Sequence, residues 1–333
     1  MKVSEVGEFG LIEILAKMIE TRLDVKRPSW KNIVAGIGDD AAAWKNTDEI
    51  TLATTDCLVQ NVHFKIGQAA WSELGWKALA INLSDIAAMG GTAECALVTL
   101  GLPADTDVED VTELYRGLIQ LGDQFGIAIA GGDITSSNTM FISLTVTGSA
   151  GKRLLRRSAA KPGDLIGVTG YLGAAAAGLR LISNGAAPTA EDAPLRQAFL
   201  SPCPRLAEGA MILAAGGRAA IDISDGLVAD LGHICRASKV GARIDVEHIP
   251  VHPAARKAFL SHALDMALGG GEDYELLFTA SAAVIDKVKA KTSLPVSVIG
   301  EITANSPGVV QTVDAKGRPY KFDKAGWDHF GKG

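Results

Sequence analysis

Carboxylates recur in this chain in one kind of setting. An apolar, strand-like segment runs into one or two small residues and then into Asp or Glu. This happens at Asp39/Asp40, Asp56, Asp133, Asp222/Asp225 and Glu272/Asp273. A sixth case, Asn82-Leu83-Ser84-Asp85, lies in an apolar helical context. Any one such carboxylate is ordinarily a solvated turn residue, but repetition at this density argues against accident. If the groups converge, their charge needs compensation. Two unit charges about 4 Å apart repel by about 4 kcal/mol at an effective dielectric near 20. Several such pairs exceed the ~5–15 kcal/mol net stability of a domain. Either cations join them or their pKa values rise. All-oxygen donors select hard ions, and a site rich in Asp, Thr and Ser that also meets phosphate suits Mg²⁺. No EF-hand loop is present, so a dedicated Ca²⁺ cage is not expected. The adjoining glycines let a phosphate approach the backbone closely.

Conventional nucleotide motifs are missing. There is no G-x-x-x-x-G-K-[ST] loop and no protein-kinase H-R-D or D-F-G set. Phosphate must then be held by metals and scattered basic residues, and the run from Lys152 through Arg153, Arg156 and Arg157 to Lys161 supplies candidates. The net charge of -6, with no long basic run, argues against general nucleic-acid binding. Cys57, Cys95, Cys203 and Cys235 form no C-x-x-C pair and no zinc-type cluster with histidine. The acidic N-terminus does not read as a signal peptide, and no apolar run approaches the ~18 residues of a membrane span. A cytoplasmic location is expected, with no membrane contact.

The elements that must position these groups alternate. Residues 8–23 have the apolar spacing of an amphipathic helix. Strands are expected at 33–38, 50–55, 95–102, 127–130 and 141–148, and helices at 70–89 and 108–125. A boundary is expected near residues 148–161, giving domains 1–150 and 151–333. The second half repeats the style, with strands at 164–169, 219–223 and 275–279 and helices at 174–182 and 230–237. Residues 184–204 contain Pro188, Pro194 and Pro202 and read as loop. The alternation predicts two α/β domains.

The motifs Ile37-Gly38-Asp39-Asp40-Ala41, Thr54-Thr55-Asp56, Asn61-Val62-His63-Phe64, Asn82 to Gly90, Gly131-Gly132-Asp133, Arg157-Ser158, Lys161-Pro162-Gly163-Asp164, Asp222 to Leu227 and Gly270 to Leu276 occur in an order and over a length that resemble the thiamine-monophosphate kinases. The resemblance implies the fold shared with aminoimidazole ribonucleotide synthetase. In that fold an N-terminal α/β domain forms a homodimer and the ATP and Mg²⁺ site, and a C-terminal α+β domain follows. It implies transfer of a phosphoryl group from ATP to thiamine monophosphate. It further implies several Mg²⁺ ions on Asp40, Thr54, Thr55, Asp56, Asp85, Asp133, Asp222 and Asp225. ATP contacts are implied at Tyr115, Gly132, Asp133, Arg157 and Ser224, and substrate contacts at His63, Glu272 and Trp327.

The residue types fit that chemistry. Phosphoryl transfer needs positioning and charge neutralisation more than covalent help. A phosphate acceptor is already anionic, so neither a general base nor a covalent residue is expected. A cationic thiazolium suits an aromatic face and a carboxylate. Within the superfamily, selenophosphate synthetase would show a reactive Cys near the N-terminus, and a hydrogenase-maturation enzyme would carry a C-terminal Cys. The first cysteine here is Cys57 and the chain ends in Gly333. Aminoimidazole ribonucleotide synthetase itself and a catalytically silent nucleotide-binding scaffold are the competing functions.

Overall fold

The computed structural model describes residues 32–46, 49–322 and 326–327, with residues 10, 12–14 and 17 nearer the N-terminus. The helix expected over 8–23 falls largely outside the described residues.

The first half forms a six-stranded sheet. Its strands are β1 (Ile33–Ala35), β2 (Ala42–Asn46), β3 (Glu49–Val59), β4 (Thr92–Leu102), β5 (Ala128–Ser136) and β6 (Phe141–Ala150), in the order β1-β2-β3-β6-β4-β5. All neighbours are antiparallel except β4 and β5, which are parallel because a helix crosses between them. Two helices pack on this sheet: α1 (Trp71–Ala88) and that crossover, α2 (Val108–Phe125). Helix α2 is amphipathic, burying Leu114, Leu118 and Leu121, and ends on Gly126 in the left-handed conformation. Helix α1 is different: thirteen of its eighteen residues are buried, on every side. A helix buried on every side belongs in an interior, and α1 lies between the two halves of the molecule with Lys77, Asn82 and Ser84 among its buried residues.

The second half holds another six-stranded sheet. Its strands are β7 (Leu165–Thr169), β8 (Ala220–Asp222), β9 (Gly241–Asp245), β10 (Leu276–Ala280), β11 (Val296–Thr303) and β12 (Val310–Val313), in the order β12-β9-β11-β7-β10-β8. Only β9 and β12 run parallel. The helices here are α3 (Ala174–Ser183), α4 (Ala193–Leu200), α5 (Leu206–Ala215), α6 (Leu227–Ser238), α7 (Pro253–Phe259), α8 (His262–Gly269) and α9 (Ala282–Lys289).

Some elements depart from the sequence expectations. The segment 184–204 contains α4, with Pro194 in its first turn, where a missing N–H costs nothing. Strand β3 extends to Val59 and β5 to Ser136, so Asp56 and Asp133 stand inside strands rather than beyond their ends. Pairing supplies the reason: Asp56 is in register with Leu144 of β6 and Asp133 with Thr99 of β4. Gly132 has no room for a side chain, since a Cβ there would sit 1.8 Å from the Val98 carbonyl oxygen.

Candidate active site

The halves meet at α1, and the meeting is polar. Asn82 and Asp85 turn toward β3. The Asn82 amide oxygen accepts the Asp56 backbone N–H at 3.1 Å while its Nδ2 donates to the Ala78 carbonyl at 3.0 Å. Thr54 donates its hydroxyl to Asp85 Oδ2 at 2.5 Å. One residue earlier on the helix, Ser84 turns the other way and donates to Asp222 Oδ2 at 2.6 Å, at the end of β8. Asp40 comes in from the loop before β2.

Asp40, Asp85 and Asp222 each bring an oxygen into one cluster, all within 4.8 Å of one another. The Asp40 side chain has no exposed surface and Asp222 is 3% exposed. Burial, then the charges of Asp56, Asp222 and Asp40, pushes the Asp85 carboxyl well above the ordinary carboxylate range. Burial and Asp40 push Asp222 up to about 8. Asp56 is also raised by burial, although a hydrogen bond with Asp85 works against the rise. Carboxyls forced upward in this way mark a place where positive charge is wanted. The donor set is all oxygen, which fits a hard divalent cation such as Mg²⁺.

Arg157, on a short 3-10 turn between the sheets, supplies the nearest cation. Its Nε and Nη2 grip the two Asp40 carboxylate oxygens at 3.1 and 2.9 Å, and its backbone N–H donates to Asp39 at 2.8 Å. Burial alone would lower its pKa, but the Asp40 carboxylate reverses this and the group stays charged. Ser238, at the end of α6, donates to the Arg157 carbonyl and pins the turn.

On the far side of Asp222, the loop Ser224–Gly226 leads into α6. Asp230 accepts the backbone N–H groups of Asp225 and Gly226 and so holds the loop's shape. The loop after α8 lies against it: Glu272 and Tyr274 donate backbone N–H groups to the Ser224 and Ile223 carbonyls. Glu272 and Tyr274 both have positive φ, of 59° and 49°, a conformation that non-glycine residues seldom adopt. The adjacent carboxylates part company here. Asp273 turns back to accept the Gly173 and Ala175 N–H groups at the start of α3, with its carboxyl pushed by burial up to about 7. Glu272 turns the other way, to Lys77 of α1, 2.9 Å from Nζ.

Beside Lys77 lies a cavity walled by Leu58, Phe64, Leu74, Phe199 and Leu200, with His63 and Lys77 among its polar lining. His63 Nδ1 accepts the Val59 N–H at 3.0 Å, so its neutral form carries the proton on Nε2. Trp327 is 49% exposed, and its backbone N–H donates to the Asp225 carbonyl at 3.0 Å. This ties the Trp327 backbone to the Ser224–Gly226 loop.

The structure thus brings together Asp40, Thr54, Asp56, Asp85, Arg157 and Asp222, with Ser224 and Asp225 on the adjoining loop, Trp327 bonded to that loop, His63 at the neighbouring cavity and Glu272 paired with Lys77 of its wall. Other expected residues stand apart. The Thr55 side chain leaves the opposite face of β3 and donates to the Leu144 carbonyl. Gly132 and Asp133 lie on the exposed edge strand β5, three strand spacings from Asp56, or ~14 Å. Tyr115 lines a separate shallow apolar groove with Leu102, Pro103, Thr106, Val108 and Val111. Ser84, Asn82, Asp230 and Lys77 contribute to the arrangement although sequence pattern does not single them out as site residues. Ser84 and Asn82 sit inside the Asn82–Gly90 motif. Lys77 had a usable signal, the one basic residue in a mostly apolar helical run.

Comparisons with known proteins place the whole chain. The AIR synthase related protein N-terminal domain matches residues 38–150, and the corresponding C-terminal domain matches 161–312. The thiamine-monophosphate kinase of Salmonella typhimurium is 40% identical, the match covering 97% of this chain and 98% of that protein. That of Aquifex aeolicus is 33% identical over 99% and 100%. Among solved structures, AaThiL complexed with AMPPCP and TMP superposes with a TM-score of 0.85 at 32% identity, covering 99% of both chains. The Stenotrophomonas maltophilia K279a thiamine-monophosphate kinase gives 0.76 at 38%, over 92% and 96%. Hydrogenase maturation protein HypE, at 17% identity and a TM-score of 0.67, shares the fold alone. With two superfamily domains in order and end-to-end similarity at this level, the chain belongs to the thiamine-monophosphate kinase family.

Proposed function

We propose that this protein transfers the γ-phosphoryl group of ATP to thiamine monophosphate, forming thiamine diphosphate and ADP. The observation that carries the reading is the Asp40–Asp85–Asp222 cluster, assembled from both halves of a chain that thiamine-monophosphate kinases match nearly end to end. Asp40, Thr54, Asp56, Asp85 and Asp222 would hold Mg²⁺, with Asp225 on the adjoining loop as a further ligand; Thr55 faces the other side of β3 and Asp133 lies three strands away, so neither joins this cluster within one chain. Bound Mg²⁺ would neutralise phosphate charge and bring donor and acceptor phosphates together.

The chain's own residues do the rest. Arg157 offers a planar, permanently charged donor to phosphate oxygens. Ser224 and the glycine-flanked loop before α6 receive the nucleotide phosphates, and Gly132, Asp133 and the groove beside Tyr115 receive the remainder of ATP. His63, Glu272 and Trp327 bind the acceptor. Transfer is direct and in line, because an ionised phosphate oxygen needs no base.

A homodimer joined through the N-terminal sheet accompanies this reading. Edge strand β5 is exposed along most of its length, and Ile134 on it and Leu97 on the adjoining β4, 63% and 47% exposed, offer apolar surface. No helix among the described residues is long and apolar enough to cross a membrane. The four cysteines are free, in keeping with a reducing cytoplasm.

The test is ADP release measured with thiamine, thiamine monophosphate and aminoimidazole ribonucleotide precursors, with Mg²⁺ and with chelator. Turnover with thiamine monophosphate alone, abolished by chelation, is expected. Turnover with an aminoimidazole precursor alone, or none with any acceptor, would overturn the assignment.

A further inference from the structure

Lys77 is an unusual residue for its position. It sits within α1, a helix buried on every side, and its side chain is 4% exposed. A buried ammonium costs several kcal/mol unless its donors are used. Its Nζ lies 2.9 Å from Glu272 Oε1 and 3.7 Å from the centroid of the Phe199 ring. Neither contact is a hydrogen bond, since Nζ has no partner in hydrogen-bonding geometry. An ammonium with three N–H donors is therefore neutralised but unspent, and it lines the cavity that also holds His63. Helix packing alone would be served as well by Met or Leu at this position.

The cavity is lined by the aromatic rings of Phe64 and Phe199 and by Leu58, Leu74 and Leu200, apolar surface suited to a ring. Beside the donor Lys77 stands an acceptor, the Glu272 carboxylate, whose backbone is held at positive φ. A donor and an acceptor side by side are complementary to a ring edge that carries an acceptor nitrogen next to an exocyclic amine. The aminopyrimidine of thiamine monophosphate has such an edge.

We propose that Lys77 is a specificity-determining residue of the acceptor site, donating from Nζ to a pyrimidine ring nitrogen while Glu272 accepts from the neighbouring amine. This rests on the function proposed above and extends it to a residue outside the expected set. It explains why a cation is kept in a pocket for a substrate that is itself a cation: Glu272 balances the charge, and the ring nitrogen uses the donor.

The test pairs a protein change with a ligand change. Lys77→Met and Lys77→Gln are assayed with thiamine monophosphate and with pyridine analogues in which one or the other pyrimidine nitrogen is replaced by C–H. A hydrogen bond to a charged donor is worth about 1.5–3 kcal/mol, or roughly ten- to a hundredfold. Lys77→Met should raise the KM for thiamine monophosphate by that factor and leave the KM for ATP within about twofold. One analogue should lose the same factor on wild-type protein and almost nothing further on Lys77→Met. Equal loss from that analogue on wild type and variant would overturn the proposal, as would a variant whose only change is a lower melting temperature. The analogue arm on wild-type protein decides the matter even if a variant fails to fold: binding indifferent to both nitrogens refutes it. Wild-type protein that does not phosphorylate thiamine monophosphate overturns the function and this proposal together. Normal wild-type turnover with an unaffected Lys77→Met overturns the Lys77 assignment alone.

Discussion

Replacing Asp85 by Asn should move stability and activity in opposite directions. The change is nearly isosteric, and an amide oxygen can still accept the Thr54 hydroxyl now 2.5 Å from Asp85 Oδ2. What it removes is one negative charge from a cluster whose oxygens lie within 4.8 Å. At that distance a pair of unit charges repels by about 3 kcal/mol at an effective dielectric near 20. The metal-free protein escapes part of this by keeping protons, which is why Asp85 lies well above the ordinary range and Asp222 near 8. The sign follows from linkage: when the folded state holds carboxyl protons that the unfolded state has lost, stability falls as pH rises. For Asp222 that window opens near 3.8 and closes near 8. Without Mg²⁺, Asp85→Asn should therefore be more stable than wild type at pH 8 by about 1–3 kcal/mol, a few degrees in Tm. At pH 5 the difference should nearly vanish, because the wild-type cluster is already largely protonated. Adding Mg²⁺ should raise the wild-type Tm more than the variant's, since a ligand that binds only the folded state stabilises it, and turnover of the variant should be lost. Thermal melts at both pH values, with Mg²⁺ and with chelator, make the measurement. A variant less stable than wild type at pH 8 without metal, or a difference equal at both pH values, refutes the electrostatic reasoning. Near-normal turnover at saturating Mg²⁺ refutes the metal assignment.

Trp327→Ala should raise the KM for thiamine monophosphate several-fold to a few tens of fold, from a ring–cation contact of roughly 0.5–2 kcal/mol, with Trp327→Phe retaining part. The half-exposed indole predicts little change in Tm, and a sharp fall in Tm with an intact KM would make it a packing residue. His63→Ala should impair acceptor binding more than kcat, and γ-labelled ATP without acceptor should leave the protein unlabelled; stable label on His63 would reverse that conclusion. Arg205→Met should destabilise by about 3–5 kcal/mol, because it strands the buried Glu275 carboxylate that Arg205 grips at 2.8 and 2.5 Å; an unchanged urea midpoint would show that this ion pair does not hold the fold.

Much of the architecture was legible from periodicity. Helix α2 spans the residues its Leu114, Leu118 and Leu121 spacing predicts, and β4, β6, β7 and α3 fall within two or three residues of expectation. Local pattern failed where the decisive partner was distant. Strand β3 runs past Asp56 because β6 pairs along its whole length. Helix α4 forms through Pro194 because Leu195 and Phe199 find apolar neighbours elsewhere. Strands β9, β11 and β12 are too short or too mixed to announce themselves before they are paired.

The sequence by itself determined the chemistry on offer: many carboxylates in small-residue settings, no P-loop, and motifs in an order that points to one family. Those are facts of residue type and spacing, and folding does not alter them. Tertiary structure alone decided which carboxylates act together. It joined Asp40, Asp85 and Asp222, and separated the neighbours Glu272 and Asp273 by turning one to Lys77 and the other to the start of α3. It sent Thr54 and Thr55 to opposite faces of one strand. Those outcomes depend on strand register and on how α1 seats between two sheets. Both are set by the burial of apolar surface from segments far apart in the chain, which no local window of sequence contains.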